Sequence, residues 1–395
     1  MNRYDLVIIN RSFWPIYPVI GEGLLRVAES FANSKKVAVI LQDHADINKH
    51  LNEFKRGVGV NFFPMRAFSN SSSSLVLRIL DSIFFMFWVS FILIKTRPKN
   101  IYISTDPPIL IPFIIAIFSK IMNFKYTYHL QDIHPEATNV VVKINNYLFN
   151  LLKKIDNFTI RQASLLITLN EVMKIEILNR INIQKEIIII ENPSILFNVE
   201  MPLPKKKGFA FTGNLGRLQR IPLLINAIRE YQKRGGSLEF AFAGGGIFSN
   251  QIFELSKNIS LVKYHGRVAP EQAASISSSY EWALLPVEDQ VTNYSFPSKI
   301  SSYTYSGAKI LAICSIETSV AKWVRINQVG IVVNPILDSI VDIFFKIENN
   351  NINTTFINSD RTELKKNYIW TDLLKVLKIK YVLNVISKNF NRKII

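Results

Sequence analysis

The chain has 395 residues, 48% of them hydrophobic and 12% aromatic, which excludes a disordered chain and supplies apolar material for two cores. Lys and Arg number 47 against 30 Asp and Glu, so the formal charge of +17 points to an anionic partner: nucleic acid, anionic lipid headgroups or a phosphate-bearing substrate. The one cysteine, Cys314, excludes an intrachain disulfide and fits a reducing compartment.

DLVIIN (5–10) reads as a first strand and not as a signal peptide, because no small-residue cleavage site follows it. PVIGEG (18–23) reads as a glycine-containing loop that leads into a helix over Gly21–Asn33. Strands follow at 36–41 and 60–65, a helix at 75–95, a strand at 100–105, a helix at 108–122 and the strand KYTYHLQD (125–132). A basic, apolar helix over Val141–Arg161 precedes a strand at 164–169, a helix at 171–180 and a strand at 186–192. The apolar runs 79–94 and 107–122 fall short of the roughly 20 residues of a bilayer crossing. Asp81 interrupts the first, and Pro112 and Lys120 the second, so both read as helices, buried or dipped into a membrane interface. Strands that are apolar throughout, separated by helices, predict a parallel sheet covered on both faces.

Pro193, Pro202, Pro204 and Lys205–Lys207 break this rhythm and mark a linker. The alternation then restarts, with strands at 208–213, 238–244, 260–266, 280–287, 308–314 and 330–335 and helices at 221–235, 250–257, 270–278 and 316–327. Trp370–Lys388 reads as a last helix or two. The expectation is an α/β chain of two Rossmann-like parallel-sheet domains, 1–195 and 205–368, facing a cleft. A C-terminal helical segment, 369–395, returns to the first domain. Ligands bind beyond the carboxyl ends of strands in such sheets.

Three stretches of the second half suit a phosphate. FTGNLGR (211–217) is a strand followed by glycines and a cation, with Gly213, Asn214 and Arg217 at its end. FAGGG (242–246) repeats the turn one unit later, with Gly245 at its centre. FPSK (296–299) places Pro297 at a helix start, with Ser298 and Lys299 where free N–H groups and a dipole favour an anion. In the first half, HLQDIHPE (129–136) gathers His129, Asp132, His134 and Glu136 after a strand, at a spacing that matches no standard zinc site.

The order and spacing of these motifs over about residues 5–335 resemble glycosyltransferase family 4, of the GT-B fold, and within it the transferases of bacterial surface polysaccharides, the fucosaminyl and colanic-acid types. The shared stretches include IGEGLLRVAESFA, TDPPILIP, HLQDIHPE, IENPS, FTGNLGRLQRIPLL, FAGGG, YHGRVAPEQ, FPSKISSYTYSGAKILAI and GIVVNP. The resemblance implies a retaining enzyme whose second domain holds a nucleotide-sugar donor and whose first holds the acceptor. It implies that Arg217 and Arg220 grip the diphosphate, that Ser298 and Lys299 lie near phosphate and sugar, and that the Gly21–Gly23 loop closes over them. His129 or Asp132 would approach the transferred sugar, with no metal and no other cofactor. Where many members carry two Glu eight residues apart, this chain has Tyr294 and Ser302, and Glu288 and Asp289 lie just upstream.

The acceptor implied is a polyprenyl-linked saccharide, so the expected location is cytoplasmic, peripheral at the inner face of the cytoplasmic membrane. The apolar helix 75–95 and the basic helix 141–161 suit anionic headgroups. A sugar-nucleotide epimerase of the same fold and a catalytically altered partner protein are the alternatives. The absence of helix-turn-helix, zinc-finger or RNP-type motifs argues against a nucleic-acid partner.

Overall fold

The computed structural model describes residues 3–69, 73–192, 204–352 and 372–378. These form two compact units: 3–135, 145–192 and 372–378 in one, and 136–144 and 204–352 in the other.

The first unit is built on a seven-stranded sheet, parallel throughout, in the order β3-β2-β1-β4-β5-β6-β7. The strands are β1 (Leu6–Ile9), β2 (Val37–Asp43), β3 (Val60–Arg66), β4 (Asn100–Ser104), β5 (Lys125–Leu130), β6 (Leu165–Thr168) and β7 (Ile187–Ile189). All four residues of β1 are buried, as helices on both faces require. On one face α1 (Pro18–Ala32) packs Leu24, Leu25, Ala28 and Phe31 against Leu6, Ile8, Val37 and Val39. Residues 372–378 join the same core through Leu373 and Leu377, so this part of the C-terminal segment does return to the first unit. The rest of 369–395 lies outside the described residues.

The opposite face carries α3 (Leu75–Thr96), α4 (Leu110–Met122) and α6 (Asn146–Gln162), packed side by side. Gln42, which alternates away from the α1 face, donates to Asp81 of α3 at 2.9 Å. Tyr126 and Tyr128 reach α6 through Thr159 O and Asp156.

Three expectations about helices change here. Gly21 and Gly23 lie inside α1, not in a loop before it. A Cβ on Gly21 would stand 2.2 Å from the Trp14 nitrogen, so this glycine lets the helix start pack onto the Phe13–Trp14 backbone. The predicted helix 141–161 starts later, as α6; Val141 is instead the last residue of a separate short helix, α5 (Glu136–Val141), which belongs to the second unit. Asn145 is extended and its side chain accepts from Tyr147 N at 2.9 Å, so a new helix starts there. The helix α2 (Ile47–Glu53) was not foreseen; the Asp46 side chain caps it by accepting from Lys49 N. α7 (Glu171–Ile181) completes the unit.

The second unit has six parallel strands in the order β10-β9-β8-β11-β12-β13. These are β8 (Lys206–Thr212), β9 (Glu239–Ala243), β10 (Val262–Tyr264), β11 (Tyr280–Pro286), β12 (Lys309–Ile313) and β13 (Gly330–Val333). The helices are α8 (Ile221–Lys233), α9 (Ser249–Asn258), α10 (Pro270–Ser279), α11 (Lys299–Tyr305), α12 (Ser319–Ile326) and α13 (Leu337–Glu348). Phe209 of β8, Phe240 of β9 and Phe344 of α13 meet at centroid distances of 4.9 to 5.1 Å in the centre of its core. α13 is the second unforeseen helix, although Ile340, Val341, Phe344 and Ile347 carry the helical repeat.

Candidate functional site

At the carboxyl ends of β8 and β9 the chain turns twice on glycine. Gly213 (φ +119°) and Gly244 (φ +138°) both adopt backbone that other residues rarely take. Gly213 N donates to Ala243 O at 2.8 Å, and Gly244 N to Gly266 O at 2.7 Å, so three successive strand ends are laced together. A Cβ on Gly244 would stand 1.9 Å from Gly213 O. Gly244→Ala is therefore expected to destabilise this unit by on the order of 3 kcal/mol, through overpacking and backbone strain together. Urea unfolding of the variant against wild type measures it.

Lys299, the first residue of α11, rises beneath the first turn. Its Cε would stand 2.7 Å from a Cβ on Gly213, and its Nζ 3.4 Å. The Nζ lies 3.7 Å from the centre of the Phe211 ring. That nitrogen is buried and has no hydrogen-bond partner, although part of the residue's remaining surface reaches solvent. Burial pulls the ammonium pKa down to about 7.

α11 begins two residues after the expected Pro297 and is seven residues long. The cation itself, more than a helix terminus, makes this spot attractive to an anion. Ser298 is exposed at the start of α11, and Ser302 is exposed one turn later. The other hydroxyls of the helix bond back to it: Ser301 to Ser298 O, Thr304 to Ile300 O and Ser306 to Tyr303 O. Tyr303 OH accepts from Thr212 N at 3.1 Å and so ties α11 to the end of β8.

The three arginines near these turns differ. Arg217 is exposed on a single 3-10 turn after Gly216. Arg220 is held: its Nη2 lies 3.2 Å from Glu288 and 3.1 Å from Asp289, and its Nε donates to Val287 O at 2.8 Å. Asp289 in turn accepts from Ser315 N at 2.9 Å. Arg217, Arg220, Glu288, Asp289 and Gln290, with Val140 and Val141 of the same unit, line a cavity of about 360 Å³. Arg267 was not singled out from the sequence, although YHGR repeats the strand–Gly–Arg order of FTGNLGR. It is exposed, and its Nε would stand 2.4 Å from a Cβ on Gly245. Asn214 lies between the two turns, its amide against Gly216 and its Oδ1 against Gly246.

In the first unit, His129 is on β5, and its Nδ1 lies 2.7 Å from Tyr102 OH. Burial pulls the imidazole pKa to about 3, so the ring is neutral near pH 7. Its buried Nε2 has no hydrogen-bond partner. Asp132 is half-buried in the following loop, and its backbone N–H donates to Thr105 Oγ1 at 3.2 Å. Among the described residues no three His, Cys, Asp or Glu side chains converge as metal ligands do.

No family model matches the chain. It is 22% identical over 279 residues to the "Probable glycosyltransferase WbjE" of Pseudomonas aeruginosa, covering 66% of this chain and 69% of that one. Among solved structures it is similar to a sucrose-phosphate synthase of Thermosynechococcus elongatus (TM-score 0.73, 13% identity, 98% of this chain and 100% of that one). It is also similar to Anabaena HepE in complex with UDP (TM-score 0.63, 15% identity, 96% and 100%). A UDP-GlcNAc 2-epimerase of Methanocaldococcus jannaschii shares the fold at TM-score 0.56 and 10% identity, over 95% of this chain and 99% of that one. The solved structures show the fold, and the curated relative carries the activity: the class they define is a glycosyltransferase of the GT-B fold.

Proposed function

We propose that this glycosyltransferase is a retaining enzyme of family 4 that takes a sugar from a nucleotide-diphosphate donor bound at the strand ends of the second unit. The acceptor is a saccharide on a polyprenyl diphosphate, met by the first unit at the inner face of the cytoplasmic membrane. The product would belong to a bacterial surface polysaccharide, an O-antigen or capsule. The observation that carries the donor site is Lys299, a buried cation with no counter-charge beside a glycine turn, with Arg217 and Arg267 exposed at neighbouring strand ends.

The bond that breaks joins the anomeric carbon to the distal phosphate, and negative charge gathers on the departing diphosphate. Lys299 and the exposed arginines at the strand ends stabilise that charge without a metal. Arg217 and Arg267 are free to swing onto a phosphate, whereas Arg220 would first have to leave Glu288 and Asp289. In the acceptor unit His129 acts as a neutral hydrogen-bonding group. The tautomer that accepts from Tyr102 leaves an Nε2–H to donate towards a sugar oxygen.

A thermal-shift screen of nucleoside diphosphates and nucleotide sugars tests this reading. At a hundredfold excess over Kd a true ligand stabilises by about 2.7 kcal/mol. Arg217→Ala and Arg267→Ala are each expected to weaken the response. If no nucleotide stabilises wild type, or both variants respond as wild type does, the donor site is wrong. Release of an epimerised nucleotide sugar with no transfer to any acceptor would favour the epimerase instead.

A further inference from the structure

α3 is apolar on two opposite sides, and the sheet covers only one. Phe85, Val89, Ile92 and Leu93 are buried in the first unit. Val76, Leu80, Phe84, Phe87, Phe91 and Ile94 follow one another at steps of three and four along the other side. Their exposures are 67, 45, 57, 63, 59 and 58%. The stripe runs about 27 Å at 1.5 Å per residue. Val76–Thr96 is long and apolar enough to cross a membrane, longer than the interrupted sequence run suggested. Yet α3 joins β3 to β4 of one sheet and covers that sheet, so it stays with the folded unit. A contiguous exposed apolar stripe of this size marks an interaction surface.

The charge beside the stripe selects the partner. Across α3, α4 and α6 the cations are Arg78, Lys95, Lys120, Lys153, Lys154 and Arg161. The only carboxylates on these helices are Asp81 and Asp156, both buried at 2% and 1% exposure and hydrogen-bonded inside the unit. Leu148 and Leu151 of α6 extend the apolar surface at 46% and 44% exposure. Two copies pressed together through this layer would set cations against cations with no carboxylate to meet them. An anionic lipid surface offers both of the things the layer lacks, acyl chains for the stripe and phosphates for the cations.

We propose that the outer face of the α3, α4 and α6 layer lies on an anionic phospholipid bilayer, with α3 in the membrane plane and its phenylalanine stripe at the headgroup–acyl boundary. This deepens the reading of a membrane-held acceptor by naming the surface that meets the lipid. It would keep the strand ends of the first unit close to a saccharide that never leaves the membrane.

The test is co-sedimentation of the full chain with phosphatidylcholine vesicles, with and without phosphatidylglycerol. Wild type should bind the anionic vesicles and bind the zwitterionic ones far more weakly. The triple variant Phe84→Glu, Phe87→Glu, Phe91→Glu should lose roughly tenfold or more in bound fraction. All three side chains face outward, so its melting temperature and its response to nucleoside diphosphates should match wild type. Phe87→Glu alone is the second variant, with a smaller loss, should the triple variant not fold. Wild type that ignores anionic vesicles, variants that bind as wild type does, or a dimer abolished by Phe87→Glu would overturn the proposal. The diphosphate response in vesicle-free solution reports on the donor site separately. If it fails while vesicles still bind, the glycosyltransfer reading falls and the surface stands.

Discussion

Replacing Lys299 by Met is expected to raise the melting temperature of the ligand-free protein and to abolish its response to nucleoside diphosphates. The ammonium is buried without a hydrogen-bond partner, and the main influence on it is burial, which pulls its pKa from 10.5 to about 7. The Phe211 ring offsets only part of the lost hydration. The unfolded chain therefore binds more protons than the folded chain between about pH 7 and 10.5. On account of this group, stability rises with pH across that window and is lowest below pH 7. At pH 7 the buried lysine costs on the order of 4 kcal/mol. Met keeps the stem and removes the charge, so the variant should melt several degrees higher near neutral pH and lose the difference above pH 10.5.

The same group should make donor binding depend on pH. A diphosphate beside Nζ favours the charged form, so binding takes up a proton when the free lysine is neutral. Affinity for a nucleoside diphosphate is then expected to fall by up to roughly tenfold per pH unit above 7. Calorimetry in buffers of different ionisation heat counts the proton directly. Equal affinity at pH 7 and pH 9, with no proton taken up, would remove Lys299 from the phosphate site.

The architecture was legible because buried parallel strands such as LVII and LLIT are apolar throughout and alternate with helices of a different period. Short elements were less so. α2 and α13 begin at local caps or turns, and α13 follows Pro335 closely, so neither stood apart from a loop by composition. At the site, strand-end glycines announced themselves because few other residues adopt their backbone. Lys299 drew attention because its charge is misplaced at the start of a helix. Partner choice was not readable. Arg217 and Arg220 are three residues apart in one motif, yet one is exposed and the other is clamped by Glu288 and Asp289 from a distant segment. Nor was the division among hydroxyls readable, since Ser301 and Thr304 bond back to the helix while Ser302 points outward.

Arg180→Met is expected to destabilise the first unit by about 3 to 5 kcal/mol, a drop of roughly 10 °C in its melting temperature. The guanidinium of Arg180 and the carboxylate of Asp156 are each 1% exposed and 2.6 Å apart. Arg180 also donates to Asn157 Oδ1 at 2.7 Å and to His134 O at 2.9 Å, and Tyr128 OH donates to Asp156 at 3.0 Å. Burial pushes the Asp156 pKa up, and Arg180 is the nearest cation holding it down. Without that cation the carboxyl would fold best protonated, so the variant should lose stability as pH rises through the ordinary carboxylate range and beyond. The double variant Arg180→Met, Asp156→Asn removes the stranded charge and should recover much of the loss. Because both variants lose the Arg180 hydrogen bond to His134 O, the loop that carries Asp132 should exchange its amide hydrogens faster in both, even where stability is restored. Faster exchange confined to the unrepaired variant would show that Arg180 serves the charge alone and does not position the loop.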